Sequence, residues 1–239
     1  MSKNSSESQV GPVITIDGPS GSGKGTLAAR LAKSLSYALL DSGALYRVLG
    51  LAAARKGLDP NLDGEAISQL AARLPLAFGR CDESEPLIEG SVYLAEEEVS
   101  LAIRTDEASA MASRVAALPS VRAALLERQR SFQSESGLVA DGRDMGTVVF
   151  PGAQLKVFLT ASVTARAERR YKQLIAKGIS ATLPDLRLEL EERDARDTER
   201  SVSPLLPAEG SFVIDSTELS IQETEAQLET LVRSAGLMP

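Results

Sequence analysis

The chain of 239 residues contains no histidine. That absence excludes every catalytic triad built on imidazole, every zinc site with histidine ligands and every histidine general base, so acid–base work falls to carboxylates. The single cysteine, Cys81, forms neither an internal disulfide nor a multi-cysteine metal site and fits a reducing cytoplasm; its expected role is a small buried hydrophobe or a bystander. Tryptophan is absent, and five Phe and four Tyr are few for stacking on nucleic acid. No apolar run approaches the ~18 residues of a membrane helix. The start, MSKNSSESQVGP, has neither a basic region nor an apolar one, so a cytoplasmic location without a membrane partner is expected. Positive charge is also short: the formal net charge is -7 and the isoelectric point is near 4.9, which disfavours a nucleic-acid binder. An anionic ligand must therefore be met by local clusters of lysine and arginine.

What is present is an ordinary soluble composition, 43% hydrophobic and 25% charged, able to bury a core. At ~100 to 200 residues per domain the length suits one large domain or a core with inserted lobes. The polar stretch 1–9 reads as a loose, disordered terminus, leaving a single domain over 10–239. Short β-branched or apolar runs at 13–16, 38–40, 138–140, 155–159 and 212–214 alternate with helical periods at 26–36, 44–56, 163–177, 184–199 and 221–233, and with a pair of helices in 103–135 split near Pro119. Strands separated by helices predict an α/β fold with a five-stranded parallel sheet covered on both faces. Two segments break that alternation. Residues 75–100, with strand-like Leu87-Ile88 and Val92-Tyr93-Leu94, read as a small inserted lobe, and residues 171–205, dense in charge of both signs, read as a mobile helical lid.

Directly after the first strand stands Gly18-Pro19-Ser20-Gly21-Ser22-Gly23-Lys24-Gly25-Thr26, which runs into a helix. Glycines let successive N–H groups converge on phosphate oxygens, the helix N-terminus adds its dipole, and Lys24 adds a full charge for the β- and γ-phosphates. The phosphates of a bound nucleotide would be held by Gly18, Ser20, Gly21, Ser22, Gly23, Lys24, Gly25 and Thr26. Lys24 is expected on the surface of the ligand-free protein. The pattern G-x-x-x-x-G-K-[ST] is missed by one place, because Gly25 takes the hydroxyl position. No direct Ser/Thr bond to a metal is therefore expected; the G-K-G-T variant resembles nucleoside monophosphate kinases, which implies an Mg²⁺ held largely through waters, and Asp141 reads as a metal-coordinating or water-holding acid.

Two further loops fall at the sheet edge where open α/β folds bind ligands. Asp41 or Ser42 caps a helix, or else Ser42, Tyr46 and Arg47 reach an acceptor phosphate and its sugar. Asp141-Gly142-Arg143-Asp144-Met145-Gly146 reads either as a surface turn with an ion pair or as a functional loop: an acid after a strand, an arginine to clamp phosphate, and Asp144 to accept from a base amino group. In 171–205, Arg193, Arg196, Asp197 and Arg200 lie at i, i+3, i+4 and i+7, which places all four on one helix face. They form either a solvated face of salt bridges, such as Glu189 to Arg193 and Glu192 to Arg196, or the cations around a transferring phosphoryl group.

Together GPSGSGKGT, LLDSGALYR, ADGRDMGTVVFP and ERDARD resemble bacterial cytidylate kinases, a P-loop family of nucleoside monophosphate kinases, over about residues 13–231. The resemblance implies transfer of the γ-phosphate of ATP to CMP or dCMP with Mg²⁺, a monomer acting on small-molecule nucleotides, and an insertion enlarging the acceptor-binding region over about 64–102. It implies that Ser42 and Asp197 read the acceptor ribose with Arg193 nearby, that Ser113, Arg122 and Asp144 read cytosine, and that Arg143, Arg193 and Arg200 meet the phosphates. Tyr46 and Arg47 complete the expected acceptor set. Ser113 and Arg122 carry no signal of their own; both look like ordinary helix residues.

Other acceptors of the same chemistry, UMP, AMP or shikimate, differ only in the residues that read them. A GTP-dependent switch is disfavoured, since the sequence has neither N-K-x-D nor D-x-x-G after a strand.

Overall fold

The computed structural model describes residues 10–78, 91–176 and 178–238. The 1–9 terminus, Cys81 and Leu87-Ile88 lie outside the described residues. In chain order the elements begin with β1 (Val13–Asp17), α1 (Lys24–Leu35), β2 (Ala38–Asp41), α2 (Ser42–Arg55) and α3 (Gly64–Ala72). Next come β3 (Leu76–Phe78), β4 (Val92–Leu94), β5 (Glu97–Glu98), α4 (Asp106–Val115) and α5 (Pro119–Arg130). The chain closes with β6 (Leu138–Gly142), β7 (Leu155–Thr160), α6 (Val163–Ala176), α7 (Leu183–Thr198), β8 (Phe212–Asp215) and α8 (Ile221–Ser234). These elements make two compact units, one of residues 1–40 and 130–239, the other of residues 41–129.

The first unit is built on the expected five-stranded sheet, in the order β2-β6-β1-β7-β8. Its central strand β1, VITID, is buried at all five positions, which is why it reads as a β-branched apolar run rather than an alternating one. It pairs in parallel with β6 (Asp17 opposite Gly142) and with β7 (Asp17 opposite Phe158). Ile14, Ile16, Val139, Val157 and Leu159 from the sheet pack with Leu27 and Leu31 of α1 and Leu228 and Val232 of α8. A capping box starts α8: Ser220 Oγ accepts from the Glu223 amide at 3.2 Å and the Glu223 carboxylate accepts from the Ser220 amide at 2.8 Å. At the sheet edge β8 is half covered, leaving Phe212 and Val213 exposed. The third predicted strand, 138–140, continues to Gly142, so Asp141 stands within β6 rather than after it.

The α6–α7 hairpin has a small core of its own in Ala167, Leu174, Leu186 and Leu190. Thr182 caps α7 by accepting from the Asp185 amide at 3.3 Å, with Pro184 in the first turn.

The second unit packs α2, α3, α4 and α5 around Val48, Leu49, Ile67, Leu74, Val115, Val121 and Leu125, beside the antiparallel sheet β3-β4-β5. α2 lies close on α4: a Cβ at Gly50 would stand 3.1 Å from the Ala112 amide nitrogen. The helix pair expected around Pro119 is α4 and α5, with Pro119 opening the second, where its missing N–H costs nothing. The short α3 has no counterpart in the sequence reading; of its nine residues only Ile67 and Ala71 are buried. Among the described residues no helix is long and apolar enough to cross a membrane.

Candidate active site

The chain leaves β1 through Gly18, whose φ of +154° and close approach to β7 admit only glycine: a Cβ would stand 2.0 Å from the Leu159 carbonyl oxygen. It enters α1 through Gly23 at φ +95°, with no side-chain cap on the first turn. An uncapped N-terminus behind a curled glycine loop leaves backbone N–H groups available to an anion.

Lys24 is the first residue of α1. Contrary to the sequence expectation it is buried, 8% exposed, and folds back so that Nζ donates to the Pro19 carbonyl at 3.1 Å. Burial pushes its ammonium down to about 7, the nearby Arg143 and Arg193 push the same way, and Asp141 and Asp197 oppose them. One lysine, two arginines and two carboxylates therefore share one electrostatic neighbourhood, and a bound polyphosphate would restore the lysine's proton.

Asp141 lies beside the place where the phosphate loop lacks a hydroxyl. A Cβ on Gly25 would stand 3.1 Å from Asp141 Oδ2, so a side chain there would crowd the carboxylate. Thr26, one place later, is exposed. Among the described residues no group of three or more acidic, histidine or cysteine side chains is arranged to hold a metal. One hard carboxylate beside a phosphate loop does suit Mg²⁺, which keeps most of its waters and takes its other oxygens from phosphates.

Asp17, the last residue of β1, was not among the expected site residues. It is 3% exposed, and each of its oxygens accepts one backbone N–H, Met145 at 2.8 Å and Gly146 at 2.8 Å. It thereby pins the loop that carries Arg143 and Asp144. That loop continues as one π turn, Met145–Val149, in which the Asp144 carbonyl accepts from the amides of Val148 at 2.9 Å and Val149 at 3.2 Å. Burial raises the Asp17 carboxyl to about 7 despite those two donors, with Asp144 and Asp141 adding like charge. A carboxyl raised above its unfolded value of 3.8 binds more protons in the folded state between roughly pH 4 and 7, so its contribution falls as pH rises through that window. Asp17→Asn lacks this titration. Its melting temperature is expected to gain on the wild type as pH rises from 5 to 8; a difference that does not change with pH would contradict the assignment.

In the same unit Arg143 Nε donates to Asp197 Oδ2 at 2.8 Å, and Arg200 binds the other oxygen of the same carboxylate. Asp197 is 1% exposed; burial alone would raise its carboxyl, but the two arginines hold it below the usual range. The single helical face expected for the four residues of ERDARD and its neighbour is not what forms. Arg196 points outward to Glu192 at 3.9 Å, so that half of the salt-bridge reading holds, while Arg200 lies beyond the end of α7 and folds back on Asp197. Arg193 is half-buried.

In the second unit Asp41 both caps α2, accepting from the Ala44 amide at 2.9 Å, and holds Arg47 Nη2 at 2.8 Å. Gly43 makes this possible, since a Cβ there would meet Arg47 Nη1 at 2.9 Å. Ser42 and Ser113 are buried. The Arg122 guanidinium lies 5.7 Å from the centre of the Tyr46 ring and donates to the Ala116 carbonyl at 3.2 Å. Asp41 with Arg47 and Tyr46 with Arg122 thus form two pairs; Arg122 and Ser113 are ordinary helix positions in sequence alone.

The family described as Cytidylate kinase matches residues 14–234. The chain belongs to the cytidylate kinase family. It is 56% identical over 214 residues to a protein named Cytidylate kinase from Bordetella bronchiseptica, covering 89% of this chain and 91% of that one. A Cytidylate kinase from Pseudomonas syringae is 57% identical over 213 residues (89% and 91%), and one from Pseudomonas aeruginosa is 54% identical over 222 residues (93% and 94%). Membership in the cytidylate kinase family takes in the phosphate loop, the Asp141–Gly146 loop and α7 alike. The one signal in the sequence that could have found Asp17 is its place, an acid closing a buried apolar strand immediately before the phosphate loop.

Proposed function

We propose that the chain transfers the γ-phosphoryl group of ATP to CMP or dCMP, giving ADP and CDP or dCDP. The observation that carries this reading is the gathering of Lys24, Arg143, Arg193, Asp141 and Asp197 around one phosphate loop. An oxygen of the acceptor phosphate attacks the γ-phosphorus, and the bond from that phosphorus to the β–γ bridging oxygen breaks as ADP leaves. The attacking oxygen is already anionic, so no strong base is needed, in keeping with the absence of histidine. The catalytic work is positioning and charge. Lys24 and the loop amides hold the donor phosphates, and Arg143, Arg193 and Arg200 hold the transferring group and the acceptor phosphate. Mg²⁺, when bound by the donor phosphates and by waters near Asp141, supplies further neutralisation of their charge.

Ser42 and Asp197 are the proposed readers of the acceptor ribose, with Tyr46 and Arg47 toward its phosphate. Ser113, Arg122 and Asp144 are the proposed readers of cytosine. Closure of a lid over residues 171–205 would exclude water, which otherwise competes as acceptor.

Two measurements bear on this. Initial rates of ADP release with CMP, dCMP, UMP and AMP at fixed Mg-ATP are expected to be highest for the two cytidine nucleotides; equal or greater rates with UMP or AMP would sink the cytidine assignment. Arg200→Lys keeps the charge and loses the planar fork. It is expected to lower kcat by roughly 10- to 100-fold with a smaller effect on nucleotide affinity. Unchanged kinetics with a small loss of stability would make Arg200 a structural partner of Asp197 and nothing more.

A further inference from the structure

Three carbonyl oxygens of the phosphate loop are each bound by a cation: Pro19 by Lys24 Nζ at 3.1 Å, Ser20 by Arg166 Nη1 at 3.0 Å and Ser22 by Arg169 Nη1 at 3.3 Å. The two arginines stand three residues apart on one face of α6. Arg166 is 3% exposed and uses its whole fork. Nε donates to the Ala161 carbonyl at 2.9 Å, while Nη1 and Nη2 hold the Asp194 carboxylate of α7 at 3.1 and 2.5 Å. Its stem lies against the loop, where a Cβ at Gly21 would stand 3.3 Å from Arg166 Cβ. Arg169 is anchored in turn by Ser216 Oγ at 3.1 Å and by the Ser216 carbonyl.

In a trans peptide the C=O of one residue and the N–H of the next point in opposite directions. Holding the Ser20 and Ser22 oxygens toward α6 turns the N–H groups of Gly21 and Gly23 away from it. Both glycines sit at positive φ, +77° and +95°, and a glycine backbone left unbraced samples many other conformations. The orientation of these amides is therefore set from outside the loop. We infer that Arg166 and Arg169 are positioning residues of the donor-phosphate site: they keep the loop amides aimed for a polyphosphate, and Arg166 ties that shape to α7 through Asp194. The Arg166–Asp194 pair, buried at the arginine and half-buried at the carboxylate, makes geometry its contribution, since the two charges cancel.

The binding side of this inference needs only that the loop takes polyphosphate; the kinetic side rests on the kinase reading. Arg166→Lys and Arg169→Lys each keep the charge and lose the fork. ADP and inorganic tripolyphosphate are titrated calorimetrically into both variants, KM is measured for ATP and for CMP, and melting temperature monitors the fold. Arg166→Lys is expected to weaken ADP and tripolyphosphate about tenfold and Arg169→Lys about threefold, with KM for ATP rising in step and KM for CMP unchanged within twofold. Folded variants with wild-type affinity for both anions, or with KM for ATP and CMP rising together, would overturn the inference. A purely structural role would lower the melting temperature and leave the affinity of the folded protein as it was. If Arg166→Lys does not fold, Arg169→Lys, which keeps the Arg166–Asp194 pair, decides. Should the wild type bind ADP yet show no turnover with CMP, the kinase reading fails while the anion titrations still decide this one.

Discussion

Replacing Lys24 with methionine is expected to lower kcat by roughly three orders of magnitude or more while leaving the protein folded. The ammonium stands at the start of α1, where the loop amides and the helix terminus converge, and it shares its surroundings with Arg143 and Arg193. Charge on the oxygens around the β–γ bridge grows as the γ-phosphoryl group departs, and a fixed cation there lowers the barrier more than it tightens ground-state binding. The fold should tolerate the change for a reason tied to burial. A lysine held near 7, well below its ordinary 10.5, costs stability when it is protonated in the folded state, fully so below pH 7 and less as pH rises toward 10.5. Methionine removes that cost at the loss of one hydrogen bond to Pro19. The melting temperature of Lys24→Met relative to wild type should therefore be most favourable below pH 7 and decline toward pH 10. A folded variant with near-normal kcat would mean that Lys24 does not face the transferring phosphate.

The second large effect is expected at Asp144. It is buried, 3% exposed, at the head of a π turn whose amides are pinned by Asp17, so its position is fixed before any ligand arrives. Cytosine carries a 4-amino donor where uracil carries a carbonyl acceptor. A carboxylate facing that position binds one and repels the other, and a site built around such a hydrogen bond discriminates strongly because the wrong base leaves a buried acceptor unpaired. The wild type is expected to prefer CMP over UMP by at least about 100-fold in kcat/KM. Asp144→Asn and Asp144→Ala should erode that ratio, mainly by losing kcat/KM for CMP. If the ratio is unchanged in both variants with Mg-ATP binding intact, Asp144 serves only the turn.

Much of this was legible in the sequence because the signals are local. The five strands are short apolar runs, the phosphate loop is a contiguous pattern of glycines and one lysine, and Pro119 marks a helix start. What could not be read depends on contacts far apart in the chain. Asp17 acts on amides 128 and 129 positions away, and Arg166 reaches a carbonyl 146 positions away, so neither shows in any local window. The charges that act on Lys24 likewise come from far along the chain, from β6, the loop after it and α7. For α7, spacing alone placed four residues on one face. The helix ends before Arg200, and a buried carboxylate, Asp197, draws two arginines to itself. The short α3 was missed because two buried residues in nine leave too little periodicity to detect.

The most direct measurement of the central claim follows the phosphorus atoms themselves. Phosphorus NMR of the purified protein with Mg-ATP and CMP should show the CMP monophosphate resonance replaced by the paired resonances of CDP as ATP becomes ADP, one CDP for each ADP, with little inorganic phosphate. Consumption of ATP that yields inorganic phosphate with CMP unchanged, or no consumption of ATP when CMP is present, would contradict the account.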